Sequence, residues 1–450
     1  MQKKEVRLSF NKKCGRIKPL HCINGGPRSG GYDLSFDMTE EFMDIGIPMV
    51  RTSDSAGEYG HNQYINVHCI FPDFDADETL EESYNFLPTD LYLASIRNTG
   101  AEIFYRLGEN REPYSRKLYA KAPKDMEKWA RICEHIIMHY NEGWANGFKM
   151  NIKFWEIWSA PDSYECFASD KESYFELYRI TANYLRERFP RIRIGAYGAR
   201  GFYALNRLDA TEQMKSYVPF MQQFFSYITA EETSAPLDFF TWACYTANPE
   251  ELAMHAKYAR NYLDNAGLRR TRSILCEYNI AQHPETPTAL RLTSAAEIGA
   301  CLIMAQKNPC DMLMYSTSDA QSKENALFSM NDFIYPHRYA SYNVMKYMGN
   351  LYKLGTAIDS GDDHRKELYT LAASSENEAG ALFVVKNYEG KLEIIFDSSP
   401  FTVATVTKTV PTNDRGKGAT LRSKEIDITS GKLLLSVTPG EIYYLNLFNK

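Results

Sequence analysis

The sequence has no apolar run near the ~20 residues that a membrane-spanning helix needs. Its best candidate, Ile298 to Met304, is short enough to read as a buried helix, so no membrane partner is expected. Paired cysteines are also missing: nine thiols, an odd number without a C-x-x-C pair, argue for scattered reduced cysteines rather than a disulfide framework or a zinc ribbon. The nine histidines are equally dispersed. His135 and His139 share one helical face but lack the glutamate of H-E-x-x-H, so neither a metal nor a cofactor is expected. Positive charge is not in excess: 51 Lys and Arg stand against 57 Asp and Glu, a net charge of -6. Proteins that bind nucleic acid usually carry a basic face, so such a partner is not expected. The segment Met1 to Arg7 mixes charge with hydrophobes and shows no signal-like apolar stretch. With the reduced thiols, this gives a cytoplasmic expectation. Fixed-period repeats and low-complexity tracts are absent too.

What the sequence does contain is a regular alternation. Strand-like runs cover Ile17 to Asn24, Pro48 to Thr52, Glu102 to Leu107, Ile152 to Trp158, Ile192 to Gly198, Asp238 to Tyr245, Ser273 to Tyr278 and Asp311 to Ser316. Amphipathic stretches such as Lys124 to Tyr140, Lys171 to Phe189, Pro249 to Gly267 and Ser294 to Lys307 lie between them, with apolar residues three and four apart. Eight strands alternating with helices predict an α/β fold, a (β/α)₈ TIM barrel over residues 18–350. Past Asn350 the pattern turns to short β-rich runs separated by polar turns, which predicts a small C-terminal antiparallel β-sandwich over 351–450. The alternating segment 5–10 is expected to add a strand to it. No Pro/Ser-rich linker separates the two, so rigid packing is expected. Oligomeric state is not legible.

In such a barrel the C-terminal strand ends converge on one mouth. Strand four ends Phe154-Trp155-Glu156-Ile157-Trp158-Ser159-Ala160-Pro161-Asp162, and strand seven reads Ser273-Ile274-Leu275-Cys276-Glu277-Tyr278-Asn279. Glu277, a carboxylate at a strand end among apolar residues, has the setting of a covalent glycosidase nucleophile; the bland alternative is a salt-bridged barrel glutamate. Tyr245 and Arg51, at the ends of strands six and two, are candidates to hold Glu277 ionised. For Arg51 the alternative is a structural pair with Asp54 or Glu109. Trp158 and Trp242 stand where a flat ring can stack on a sugar, with core packing as the alternative.

Several longer stretches share one pattern. They are Asn24-Gly25-Gly26-Pro27, Val50-Arg51-Thr52 with Asp54, Val67-His68-Cys69-Ile70-Phe71-Pro72-Asp73-Phe74, Phe104-Tyr105-Arg106-Leu107-Gly108-Glu109, Tyr140-Asn141-Glu142-Gly143-Trp144, Trp155-Glu156-Ile157-Trp158 with Pro161-Asp162, and Cys276-Glu277-Tyr278-Asn279. The pattern resembles family 39 glycoside hydrolases of the retaining barrel clan. The resemblance implies a barrel with a β-sandwich, net retention, a carbohydrate substrate, and Glu277 in the nucleophile's place.

The departures from that family pattern are concentrated at the sugar pocket. The expected W-N-E-P after strand four, with Glu as acid/base, is replaced at both central positions by Ser159 and Ala160. Ser53 and Ala243 each stand where the pattern has His. An alanine transfers no proton, and losing a general acid typically costs about 10²–10⁴-fold. Glu156, Asp162, Glu165, Asp319 and Glu324 are the carboxyls that could replace it. The reading is a glycosidase with a diverged pocket lacking the usual acid/base, acting on a glycoside or oligosaccharide. The alternatives are a non-catalytic glycan-binding protein and a purely structural subunit.

Overall fold

A computed structural model describes residues 3–27, 37–52, 63–112, 115–280, 290–316, 326–329, 337–361, 366–410 and 420–450. Strand β1 (Lys3–Arg16) precedes eight short strands: β2 (Cys22–Asn24), β3 (Met49–Arg51), β4 (Glu102–Leu107), β5 (Phe154–Ile157), β6 (Arg193–Ala199), β7 (Phe239–Tyr245), β8 (Arg272–Asn279) and β9 (Met312–Tyr315). Each pairs in parallel with the next, and β9 returns to β2, so the sheet closes into a barrel.

Period-two alternation decides what fills this barrel. The lower interior is apolar, built from Cys22, Met49, Phe104, Phe154, Phe239, Ile274, Cys276, Met312 and Met314. One step further along several of the same strands the inward residues become polar: Asn24, Arg51, Glu156 and Thr241, all fully buried. Outward residues such as Leu107, Trp155, Ile157, Ile194, Phe240 and Leu275 meet the surrounding helices in one continuous core. Four of those helices begin on a side chain that accepts one of the otherwise unpaired N–H groups, a contact worth ~1 kcal/mol each. Asp125 caps Met126–Asn141, Asp170 caps Lys171–Arg188, Thr211 caps Glu212–Thr229 and Asn248 caps Pro249–Asn265. The helix Leu290–Lys307 contains the apolar run Ile298 to Met304. Among the described residues no helix is long and apolar enough to cross a membrane.

After a short antiparallel pair, β10 (Phe328–Ser329) with β11 (His337–Arg338), and the helix Ala340–Leu354, the chain builds the C-terminal strands. These are β12 (Thr356–Asp359), β13 (Leu368–Ser374), β14 (Ala379–Val385), β15 (Gly390–Asp397), β16 (Val403–Val410), β17 (Thr420–Asp427), β18 (Lys432–Val437) and β19 (Ile442–Phe448). With β1 they form one nine-stranded sheet in the order β17-β16-β19-β14-β13-β12-β1-β15-β18. The sheet is mixed because β1 runs parallel to β15 and antiparallel to β12. It curls around its own core, which includes Val6, Leu8, Phe383, Ile394 and Leu445. Against the barrel, Tyr347 stacks on Tyr444 at 4.8 Å, and a side chain at Gly299 would collide with Val384 at 2.8 Å. These contacts pack the helices Leu290–Lys307 and Ala340–Leu354 directly on the sheet.

Candidate active site

The barrel mouth is organised by Arg51, whose guanidinium is fully buried and meets four partners among the described residues. Its Nε donates to Glu156 Oε2 at 2.8 Å and its Nη2 lies 2.7 Å from the same oxygen. Nη1 donates to Asn24 Oδ1 at 2.9 Å and to Glu277 Oε1 at 3.3 Å, while Nη2 also donates to Ser159 Oγ at 3.0 Å. Arg51 thus ties strands β2, β3, β5 and β8 together at one level. Among the described residues its carboxylate partners are Glu156 and Glu277, and not Glu109. Asp54, Ser53, Asp319 and Glu324 lie outside the described residues.

Glu277 reaches this level through an irregularity. On β7, Trp242 is opposite Leu275 and Ala243 is opposite Glu277, so one extra residue sits on β8. A bulge of this kind re-aims the side chain that follows it. Cys276 already faces the interior, with Sγ donating to the Trp242 carbonyl at 3.5 Å, and the bulge brings Glu277 to the mouth as well. The carboxylate accepts from the Tyr245 hydroxyl at 3.2 Å on one oxygen and from Arg51 on the other. Tyr245 also reaches Ser316 Oγ at 3.4 Å. Glu277 is 8% exposed, enough to face the opening without being sealed.

Glu156 is sealed. It accepts from Arg51 and from the Thr241 hydroxyl, and burial pushes its carboxyl up, with the Arg51 charge opposing. It stands below the mouth as the counter-charge of Arg51.

The segment after β5 carries Ser159 and Ala160, fixed by Ala160 N–H donating to the Tyr197 carbonyl at 2.6 Å. Ala160 has φ +50, a left-handed conformation uncommon for a residue with a Cβ. Gly198 is required beside it: a Cβ there would come within 3.1 Å of Ser159 Oγ and 3.2 Å of Arg51 Nη2, at φ +68. Asp162 Oδ2 accepts the backbone N–H of Arg200 at 2.9 Å, and its Oδ1 is buried with no hydrogen-bond partner. Burial pushes the Asp162 carboxyl up to about 7, against the backbone N–H of Arg200. Glu165 is drawn away by Arg111, which holds it below the usual carboxylate range.

The two tryptophans do not line the mouth, which corrects the sugar-stacking expectation. Trp242 is fully buried between Thr241 and Ala243, so alternation turns it toward the helices, where its indole N–H donates to Ser273 Oγ at 3.0 Å. Trp158 is 1% exposed, donates to the Cys166 carbonyl at 2.9 Å and packs edge-on to Phe167. The facing position is Gly108, where a Cβ would lie 2.8 Å from the Trp158 ring.

The matching family model, Glycosyl hydrolases family 39, covers residues 50–333, more than half of the chain. The chain belongs to that family. A β-xylosidase from Geobacillus stearothermophilus is 20% identical over 257 residues, which is 54% of this family 39 chain and 50% of the relative, so the chain spans about half the relative's length. Among solved structures, a glucosidase from Croceicoccus marinus superposes over 100% of both chains with a TM-score of 0.79 at 18% identity. A monomeric β-xylosidase from Caulobacter crescentus CB15 gives 0.71 at 13% identity, covering 99% of each chain. An α-L-arabinofuranosidase from Thermotoga maritima gives 0.69 at 13%, again over 99% of each. These likenesses share the barrel and its C-terminal β-domain. Membership in the family makes the chain a glycoside-hydrolase-type protein.

Two features of the family 39 chain escaped the sequence reading. One is Arg200, just past the end of β6, for which no spacing signal exists. The other is a cluster between the short helix Val67–Ile70 and the end of β4, where His68 Nδ1 meets Glu109 Oε2 at 2.5 Å, Nε2 meets Cys69 Sγ at 3.3 Å, and the ring stacks on Tyr119 at 3.6 Å. Burial opposes the imidazolium, but Cys69 and Glu109 raise its pKa to about 10. His135 and His139 bond to Arg131 and Trp144 carbonyls, and His139 also to Asp90. Among the described residues no group of His, Cys, Asp or Glu could hold a metal ion.

Proposed function

We propose that this protein is a retaining glycosidase in which Glu277 is the nucleophile, acting on glycosides whose leaving group departs without a proton from the enzyme. The supporting observation is the Glu277 carboxylate at the mouth, held on one oxygen by Arg51 and on the other by Tyr245. A carboxylate with both donors in place is aimed, which is what attack on an anomeric carbon requires. Arg51 and Tyr245 act as positioning residues. At the position from which a general acid would serve the leaving oxygen stands the methyl group of Ala160, which transfers no proton. Unactivated alkyl glycosides are therefore poor substrates, and good leaving groups are turned over.

Ala160 also favours a second reading, a glycan-binding protein that has given up turnover. The two are separated by measuring fluoride release from a panel of α- and β-glycosyl fluorides. Turnover that Glu277→Gln abolishes supports the enzyme. Glycan binding by calorimetry with no fluoride release from any sugar supports the binder.

A further inference from the structure

We infer that Arg200 holds an anionic leaving group, so that the substrates are sugars whose anomeric oxygen is esterified to an oxyanion, a phosphate or a carboxylate. This rests on Glu277 being the nucleophile.

Three adjacent strands bring Arg200 to the reaction level. Ala199 pairs with Trp242, and the next residue of β7, Ala243, pairs with Glu277. Arg200, one residue past Ala199, therefore stands two strands from Glu277 at the same height, roughly 10 Å away between backbones at ~4.8 Å per strand. A guanidinium spans most of that gap. The intervening side chain is only a methyl group, that of Ala243, and on the other flank Ala160 contributes a second one. The backbone N–H of Arg200 is anchored by Asp162 at 2.9 Å, which fixes the root of the side chain.

The guanidinium itself makes no close ion pair among the described residues. Among the described residues no carboxylate oxygen comes within 4.0 Å of it; it lies half-buried beside the Tyr217 hydroxyl. Of the charges acting on it, that of Glu277 is the largest, ahead of Cys166, Tyr245 and Asp162. Asp162, the nearest alternative counter-ion by connectivity, is pushed by burial toward its neutral form. A retaining site ordinarily sets two carboxyls around the scissile bond. Here one is replaced by Ala160, and a cation stands on that side of the mouth. That cation pairs with a departing oxyanion in a charge-assisted hydrogen bond.

The chemistry then balances without a protein acid. A Glu277 oxygen attacks the anomeric carbon as the bond from that carbon to the ester oxygen breaks. The electron pair stays on the leaving oxygen, and the phosphate or carboxylate departs as an anion held by Arg200, with no proton transferred. In the second half, water attacks the anomeric carbon, the bond to Glu277 breaks, and the water's proton passes to the oxyanion still bound at Arg200. The released anion thus serves as the base that Ala160 is not.

The test uses the full chain with α- and β-1-phosphates, 1-O-benzoyl esters and fluorides of xylose, arabinofuranose and glucose. Phosphate, benzoate and fluoride release are followed for the wild type, Arg200→Met and Arg200→Lys. For the sugar whose fluoride is turned over, we expect its phosphate or benzoyl ester to be turned over as well. Arg200→Met should then lower the ratio of oxyanion release to fluoride release by about 10–100-fold, the usual range for a lost charge-assisted contact, and Arg200→Lys should restore much of it. The faster of the two esters identifies the oxyanion. Three results overturn the inference and leave Glu277 as nucleophile: fluoride release without either ester reacting, an Arg200→Met effect equal on fluoride and ester, or a selective effect on uronic acid glycosides with neutral leaving groups. If no fluoride of any sugar reacts, the nucleophile assignment fails and this inference with it.

Discussion

Arg51→Met is the substitution that most directly probes what holds the barrel mouth together. Arg51 is fully buried and among the described residues faces two carboxylates, but they lose different things when it goes. Glu277 sits at the opening and rehydrates. Glu156 has no exposed surface and among the described residues keeps the Thr241 hydroxyl as its hydrogen-bond donor, with the more distant Arg106 charge. Breaking a buried ion pair by removing one partner costs about 3–5 kcal/mol, a large part of the ~5–15 kcal/mol that folds a typical domain. Protonation is the escape route, and its sign is fixed. Burial already raises the Glu156 pKa above its unfolded value, and without Arg51 it rises further. A carboxyl raised in the fold is stabilising when protonated, so the variant is most stable below the unfolded pKa, ~4.3, and loses stability as pH rises toward the folded value, by up to ~1.4 kcal/mol per pH unit. Denaturant unfolding at pH 5 and pH 7.5 reads this through tryptophan fluorescence, since all five tryptophans lie between residues 129 and 242 in the barrel. The double variant Arg51→Met/Glu156→Gln should recover at least half of the loss at pH 7.5. An Arg51→Met cost below ~1 kcal/mol with no steeper pH slope than the wild type would refute this account of the mouth.

Further outcomes follow from the same geometry. Ala160→Glu should raise aryl glycoside hydrolysis by up to ~10²-fold by restoring a general acid, partly offset by the strain of φ +50, and initial rates on nitrophenyl glycosides check it. Asp162→Asn should stabilise the protein at pH 8 and hardly change it at pH 4. The raised carboxyl of Asp162 favours the fold only while protonated, and that contribution disappears as pH rises from ~3.9 toward about 7, as thermal melting across this range should show. Trp242→Ala should cost ~3–5 kcal/mol of stability, as a core deletion does, whereas a sugar-stacking residue would lower glycan affinity at unchanged stability.

Much of the fold was legible because its signals are local. The strand-like runs and the polar strand ends each follow from alternation within a few residues, and the structure gives the eight barrel strands at the same places with ends shifted by a few residues. The parallel contact of β1 with β15 joins segments nearly 390 residues apart, and no local pattern encodes it. Trp242 was misread although the means to place it were present: Thr241 and Ala243 are the small inward residues, so the tryptophan between them must face out. Trp158 is different, because its φ of +67 breaks the alternation that would have located it. The pairing of Arg51 with Glu156 was hidden for a third reason. Two residues 105 apart meet only when strands β3 and β5 are brought to the same height in the closed barrel.

The central claim is that Glu277 attacks the anomeric carbon, and the intact mass of the protein tests it most directly. Incubation with the glycosyl fluoride of the accepted sugar, followed by acid quench, should add one glycosyl residue that peptide mapping finds on the segment containing Cys276-Glu277-Tyr278. Azide should release it as a glycosyl azide of retained configuration, and Glu277→Gln should carry no adduct. An inverted azide, or an adduct on any other residue, would contradict the account.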